Sequence, residues 1–243
     1  MVETYRMAER TIRITSLYER VHTYCRDYRA EGEPDFCVET TQADIDYERR
    51  KSAQEYERDG VSVPAFGDGY LEELAVYRQI AERMPQYDTI LFHSSVVAVD
   101  GEAYAFTAKS GTGKSTHARL WRELFKDRAV MVNDDKPLIR VTETGATVYG
   151  TPYNGKHHLG ANIAVPLKAV CILERAPENH IERISGGDAY LTLLQQTYRP
   201  KNPDHTVKTL QLLDRLTRTV ALYRLGCNMD PEAAAVSYNG MQG

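Results

Sequence analysis

The segment Ala108-Lys109-Ser110-Gly111-Thr112-Gly113-Lys114-Ser115-Thr116 holds the residue types that bind a phosphate chain. Gly111 and Gly113 open backbone dihedrals closed to other residues, so the main chain can approach an anion and turn its N–H groups toward it. Lys114 supplies a cation for β- and γ-oxygens, and the Ser115 hydroxyl can ligate Mg²⁺. A helix beginning at Lys114 adds the positive end of its dipole. Ser110, Gly111, Thr112, Gly113, Lys114, Ser115 and Thr116 are therefore the candidate nucleotide-binding residues. The GxxxxGK[ST] pattern has glycine where this chain has Ala108, which the loop tolerates if φ there is negative.

Asp134 and Asp135 follow a short apolar run, where a carboxylate that holds the metal beside the phosphates is expected. Successive residues at a strand end point in different directions. One carboxylate can therefore face Mg²⁺ while the other accepts the proton of an acceptor hydroxyl. Asp134 is taken as the base, with Asp135 and Ser115 at the metal, although the order within the pair is open to reversal and both are metal candidates. Asn133-Asp134-Asp135-Lys136 also suits a solvated turn. His93 precedes the strand expected to pair with the loop strand, where it either binds a second metal, orients the γ-phosphate or serves structure alone. The glycine-rich stretch Gly150 to Gly160 carries Lys156, His157 and His158. It is either a mobile loop that brings Lys156 onto the transferred phosphate or an ordinary surface loop.

The surrounding pattern supplies elements to position these groups. Asp100-Gly101 between Ser95–Val99 and Glu102–Thr107 predicts a type I′ hairpin leading into the glycine loop. Beyond the loop a helix is expected with Ala118, Trp121, Leu124 and Phe125 on its apolar stripe. Strands follow at 129–132, 138–141, 146–149, 169–174 and 181–184, with helices near 189–196 and 207–216. Leu71, Leu74, Tyr77, Ala81 and Met84 recur at helical spacing before Pro85. The first third is charge-dense and predicts a small, partly irregular lobe. The fold class is α/β, a P-loop-containing mixed sheet flanked by helices, with a small N-terminal lobe over residues 1–88 packed on a catalytic core over 89–243.

The 243 residues carry 30 basic and 34 acidic side chains, a formal net charge of -4, and 42% hydrophobic residues. Interleaved charges give no footprint for nucleic acid or for an anionic membrane. Cys25, Cys37, Cys171 and Cys227 are too scattered for a metal knuckle and are expected as small buried hydrophobes in a reducing compartment. With no signal segment and no membrane-length apolar run, the expected location is cytoplasmic.

These residues resemble those of the HPr kinase/phosphorylase-like family, whose core is related to ATP-dependent phosphoenolpyruvate carboxykinase. The resemblance rests on Ser110-Gly111-Thr112-Gly113-Lys114-Ser115, on Asp134-Asp135 and on His93-Ser94-Ser95. It is carried by residues 89–175. It implies that the Asp pair divides between catalytic base and metal site and that His93 supplies a metal ligand; homo-oligomers are also a family trait. The ExRGxG signature of true HPr kinases is missing, and Gly155-Lys156-His157-His158-Leu159-Gly160 stands in its place. The large substrate domain of the carboxykinases is also absent.

Together these features predict a cytoplasmic kinase that uses ATP and Mg²⁺, with Mn²⁺ as an alternative ion. It would transfer the γ-phosphoryl group to a hydroxyl acceptor, either a serine or threonine of a protein or peptide or a small molecule. Lys114, Asp134, His93 and Lys156 are the candidate catalytic residues. The rival expectation is a nucleotide-binding regulatory protein with little catalysis.

Overall fold

The computed structural model describes residues 1–58, 60–155 and 157–242. The chain divides into two compact units, Met1–Ala81 and Glu82–Gly243. Each is mixed α/β.

In the first unit, β1 (Val2–Met7) and β2 (Arg10–Thr15) form an antiparallel hairpin, and β3 (Phe36–Glu39) joins β2 in parallel. Tyr5, Met7, Ile12 and Ile14 alternate inward to full or nearly full burial, while Arg6 and Arg13 face out. Among the described residues, a 3₁₀ turn at Arg26–Tyr28 and three α-helices complete this unit: α1 (Glu19–Tyr24), α2 (Gln42–Arg58) and α3 (Asp68–Arg83), whose last two residues pass the unit's boundary. The unit is partly irregular as expected, with no helix or strand over 30–35 and 60–67, but its charge-dense part is regular. The charge-dense run from Asp44 is helical because its charges are paired: the Arg78 Nε donates to buried Glu48 at 2.5 Å and its Nη2 to Asp44 at 3.0 Å.

The second unit is built on a nine-stranded mixed sheet. In chain order its strands are β4 (Thr89–Leu91), β5 (Ser95–Val99), β6 (Glu102–Thr107), β7 (Ala129–Asn133), β8 (Leu138–Val141), β9 (Ala146–Tyr149), β10 (Ala164–Arg175), β11 (His180–Arg183) and β12 (Ala221–Cys227). The spatial order is β4-β8-β9-β10-β6-β5-β7, with β12 beside β10 and β11 beside β12. Its helices are α4 (Lys114–Phe125), α5 (Gly186–Gln196), α6 (Pro203–Thr219) and α7 (Glu232–Gly240). The β5–β6 hairpin turns on Asp100 and Gly101 at φ 51° and 84°, the positive dihedrals that a type I′ turn requires. Strand β10 changes partners along its length. Ala164 to Pro166 pair with β9 antiparallel, and from Ala169 the strand lies parallel between β6 and β12.

The central strands are buried on both faces, which is why they read as continuous apolar runs rather than alternating ones. Val96, Ala98, Ala103, Ala105, Val170 and Ile172 pack with Leu193, Leu212, Leu213 and Leu216 of α5 and α6. Val97, Val99, Tyr104, Phe106 and Cys171 pack on the opposite face with Trp121 of α4 and Ala233 and Ala234 of α7. The expected apolar stripe of α4 needs one correction. His117, Ala118, Leu120 and Trp121 are buried, whereas Leu124 is 46% exposed because it lies beyond the covered face. Among the cysteines, Cys25 and Cys171 are buried as expected but Cys37 is exposed; none of the four is in a disulfide. No helix among the described residues is long and apolar enough to cross a membrane.

Candidate functional site

Strand β6 ends at Thr107, and the chain turns through the glycine loop into α4. Gly111 and Gly113 sit at φ 77° and 126°, and a Cβ at either would meet no atom within 4 Å. Backbone conformation, rather than crowding, therefore demands glycine here. Ala108 is not among the residues of positive φ, so the non-glycine position costs no strain. Gly113 caps α4 without any side-chain cap bond. The first-turn N–H groups thus lack a capping side chain, the state that favours an anion at a helix start.

Lys114 is 8% exposed, and its Nζ donates to the Ala108 carbonyl at 3.0 Å. An ammonium has three donors, and this is its one hydrogen bond among the described residues. Burial pushes the Lys114 pKa down, while the nearby Asp135 and Asp134 charges pull it back up. The ammonium is thus held partly desolvated beside two carboxylates, with two N–H groups uncommitted.

The carboxylates are presented by the end of β7, which pairs with β5. Fully buried Asn133 shapes the turn: its Oδ1 accepts from the N–H of Asp135 at 2.9 Å and of Lys136 at 2.8 Å. Its Nδ2 donates to the Thr151 hydroxyl at 3.0 Å. Asp134, 9% exposed, accepts a hydrogen bond on Oδ1 from Ser95 at 2.6 Å. Asp135 faces elsewhere, with His93 Nε2 at 3.3 Å and Lys136 Nζ at 3.4 Å. Burial opposes ionisation of Asp135, but the His93 and Lys136 contacts outweigh it and hold the carboxyl below its usual range.

His93 is itself fixed from a distance. Its Nδ1 lies 3.0 Å from Gln196 Oε1, its N–H donates to the Gln196 carbonyl at 2.8 Å, and its carbonyl accepts from Thr107 at 2.9 Å. The ring thus lies between two acceptors, the Gln196 amide oxygen at Nδ1 and the Asp135 carboxylate at Nε2.

These groups border one cavity of about 460 Å³. His93, Ser110, Lys114, Ser115, Asp134 and Asp135 line it, together with Gly111, Gly113, Thr116, Gly155 and His157. Of the sequence-predicted site residues, Thr112 does not reach the wall, its N–H being turned back onto the Lys109 carbonyl at 3.2 Å. Lys156 lies outside the described residues. The stretch expected as either a mobile or an ordinary surface loop is stitched to the end of β7 on both sides of that position. The Thr151 hydroxyl donates to the Lys136 carbonyl at 2.9 Å, Lys136 N–H to Tyr153 at 3.2 Å, and Ala161 N–H to Val132 at 3.3 Å. Gly155, at φ 78°, lies against the Asp134-Asp135 backbone, where a Cβ would stand 3.5 Å from the Asp134 carbonyl.

Among the described residues, no group of three or more His, Cys, Asp or Glu side chains converges to hold a metal alone. The donor set suits Mg²⁺ nonetheless, because that ion is usually held by one or two carboxylates with substrate phosphates and water. Ser115, Asp134 and Asp135 at one cavity supply such a set.

Gln196 and Arg175 carried no sign of a positioning role in the sequence, and Asn133 only that of a turn residue. Gln196 reaches His93 across 103 residues. Asn133 is a buried Asx-turn residue adjoining the acids. Arg175, at the end of β10, donates to the Gly111 carbonyl at 2.6 Å and so braces the glycine loop. Only Asn133 carried a local signal, its preference for turns.

No curated protein matches the chain. Among solved structures, the Hpr(Ser) kinase/phosphatase from Coxiella burnetii overlaps 63% of this chain and 99% of its own, at a TM-score of 0.33 and 10% identity. The family described as SynChlorMet cassette protein ScmC matches residues 71–230, which takes in every described residue of the cavity wall. That match spans well over half of the sequence, and the chain belongs to the SynChlorMet cassette protein ScmC family.

Proposed function

We propose that the chain is a P-loop kinase that transfers the γ-phosphoryl group of ATP to a hydroxyl acceptor. The observation that carries this is Lys114, a buried ammonium with two uncommitted donors, set beside two carboxylates at the mouth of an uncapped helix. Such an arrangement suits a polyanion brought in together with a divalent cation. The resemblance of the glycine loop, the Asp pair and His93 to HPr kinase-like proteins agrees with it.

In this reading the loop N–H groups of Ser110, Gly111, Gly113 and Lys114 hold the β-phosphate, Thr112 being turned away, and Lys114 stabilises charge on the γ-phosphoryl group. Mg²⁺, held by Ser115 and Asp135 with Asp134 as the further candidate, neutralises the phosphate charge when bound. Ser95 occupies Oδ1 of Asp134, and its Oδ2 accepts no hydrogen bond among the described residues. That free oxygen is placed to take the acceptor proton. The hydroxyl oxygen bonds to the γ-phosphorus, its proton passes to Asp134, and the bond to the β–γ bridging oxygen breaks with its electron pair leaving on ADP. His93 steadies Asp135 rather than acting alone.

The test is ADP release from Mg-ATP, measured with and without serine- or threonine-containing peptides and small hydroxyl compounds. Acceptor-stimulated release supports the kinase. Tight ATP binding with no stimulation by any acceptor favours the nucleotide-binding regulator. Full turnover by Asp134→Asn would remove Asp134 as the base.

A further inference from the structure

A second cavity, of about 320 Å³, shares Ser115, Thr116, Asp134 and His157 with the first. Its remaining wall is of a different character. Ala118, Met131 and Leu159 are apolar, and Arg119 and Arg122 add two guanidinium groups. Those arginines stand three apart on α4 and so share a face. Arg122 is about 10 Å along the helix axis from Ser115 at 1.5 Å per residue. Helical side chains lean toward the N-terminus, which brings its guanidinium back toward the shared wall.

The two cations differ in commitment. Arg119 donates to Glu123 at 2.6 Å. Arg122 has no hydrogen-bond or ion-pair partner for its guanidinium among the described residues. A guanidinium fork left unpaired beside a small apolar pocket is a receptor for a planar or tetrahedral oxyanion. The volume lies at the small end of ligand sites, suited to one residue or a small metabolite.

Resting on the kinase reading, we propose that this second cavity seats the acceptor, and that the acceptor is a hydroxyl compound bearing a carboxylate or phosphate group. Its hydroxyl lies at Asp134, its short apolar portion against Met131 and Leu159, and its anionic group on Arg122. The hydroxyl oxygen then forms the new bond to the γ-phosphorus, with its proton on Asp134 and ADP as the leaving group.

Binding is measured directly, so that the outcome does not depend on turnover. The protein saturated with Mg-ADP is titrated with N-acetyl-L-serine, its neutral amide, L-glycerate and sn-glycerol 3-phosphate. At least one anionic probe should bind, with the neutral amide ~10-fold or more weaker than the acid wherever the acid binds. Arg122→Gln should weaken the anion by a similar factor, Arg119→Gln by less, and neither should change Mg-ATP affinity. The serine acid, glycerate and the phosphate ester separate a peptide-like carboxylate, a free hydroxy acid and a phosphate as the preferred anion. Failure of every anion to bind, equal binding of acid and amide, unchanged binding to Arg122→Gln, or a loss of ATP affinity in its place would each overturn the inference. Arg122-dependent anion binding without any ADP release from Mg-ATP would keep the anion pocket and remove the kinase reading instead.

Discussion

On one face of α4, His117 and Trp121 are buried and joined to α7. Ser237 Oγ lies 3.0 Å from His117 Nε2, accepts from Trp121 Nε1 at 2.8 Å, and donates to the Ala234 carbonyl at 3.0 Å. At the N-terminus of the same helix, where it borders the cavity, Lys114 keeps two donors uncommitted, and on a second face Arg122 has no partner, both among the described residues. One short helix thus uses polar side chains in two ways. Where they bond one another they specify packing, because losing a buried hydrogen-bond partner costs about 1–3 kcal/mol; within this cluster His117 Nδ1 is buried without a partner among the described residues. Where they border a cavity unsatisfied, they are suited to what enters it. Substitutions on the first face should therefore cost stability, and those on the second should cost binding or turnover.

The largest effect is expected at Asp134. Asp134→Asn retains an oxygen to accept from Ser95 but removes the proposed base, so kcat should fall by about 10²–10⁴-fold while the melting temperature and ATP affinity stay near wild type. A large drop in melting temperature would instead make Asp134 a structural residue and blur the two faces.

Next in size is a pH effect on the packed face. Burial pushes the His117 pKa down to about 4, so the folded state keeps it neutral where the unfolded chain takes up a proton. Stability should then fall as pH drops from about 6.5 toward 4, by on the order of 3 kcal/mol. Denaturant titrations across that range should show this slope, and His117→Phe should flatten it. An unchanged slope in the variant would mean that other groups titrate there.

Ser237→Ala removes the partner shared by His117 and Trp121 and should cost roughly 1–3 kcal/mol of unfolding free energy. ATP affinity should be unaffected. The smallest effect is expected from Arg175→Ala, which frees the Gly111 carbonyl. A loss of about 1 kcal/mol in nucleotide affinity, with the melting temperature kept, would place Arg175 with the cavity groups despite its exposure.

The residues of the candidate site were legible where chemistry is contiguous. Ser110 to Ser115 and Asp134-Asp135 stand out in the sequence because the phosphate-binding pattern they resemble needs particular types at particular spacing, and the fold brings Ser110, Lys114, Ser115 and both acids to one cavity. Gln196, Arg175 and Arg122 did not, since glutamine and arginine are common surface residues and gain meaning only once the chain folds back. The same division holds for the fold. The β5–β6 hairpin was readable because Asp100-Gly101 meets a specific dihedral demand. Helix α2 was obscured because charged residues fill its sequence, and the pairing of Glu48 and Asp44 with Arg78 depends on a helix 30 or more residues away. Strands β1 and β2 were hidden by arginine and threonine at the outward positions of a true alternation.

Titrating Mg-ATP into the wild-type protein and Lys114→Ala tests whether the cavity at the start of α4 holds the phosphates of a nucleotide. Saturable binding, tighter for ATP than for AMP and weakened ~10-fold or more in the variant at an unchanged melting temperature, is the expected result. Absence of binding to the wild type, or equal affinity in a folded Lys114→Ala protein, would contradict it.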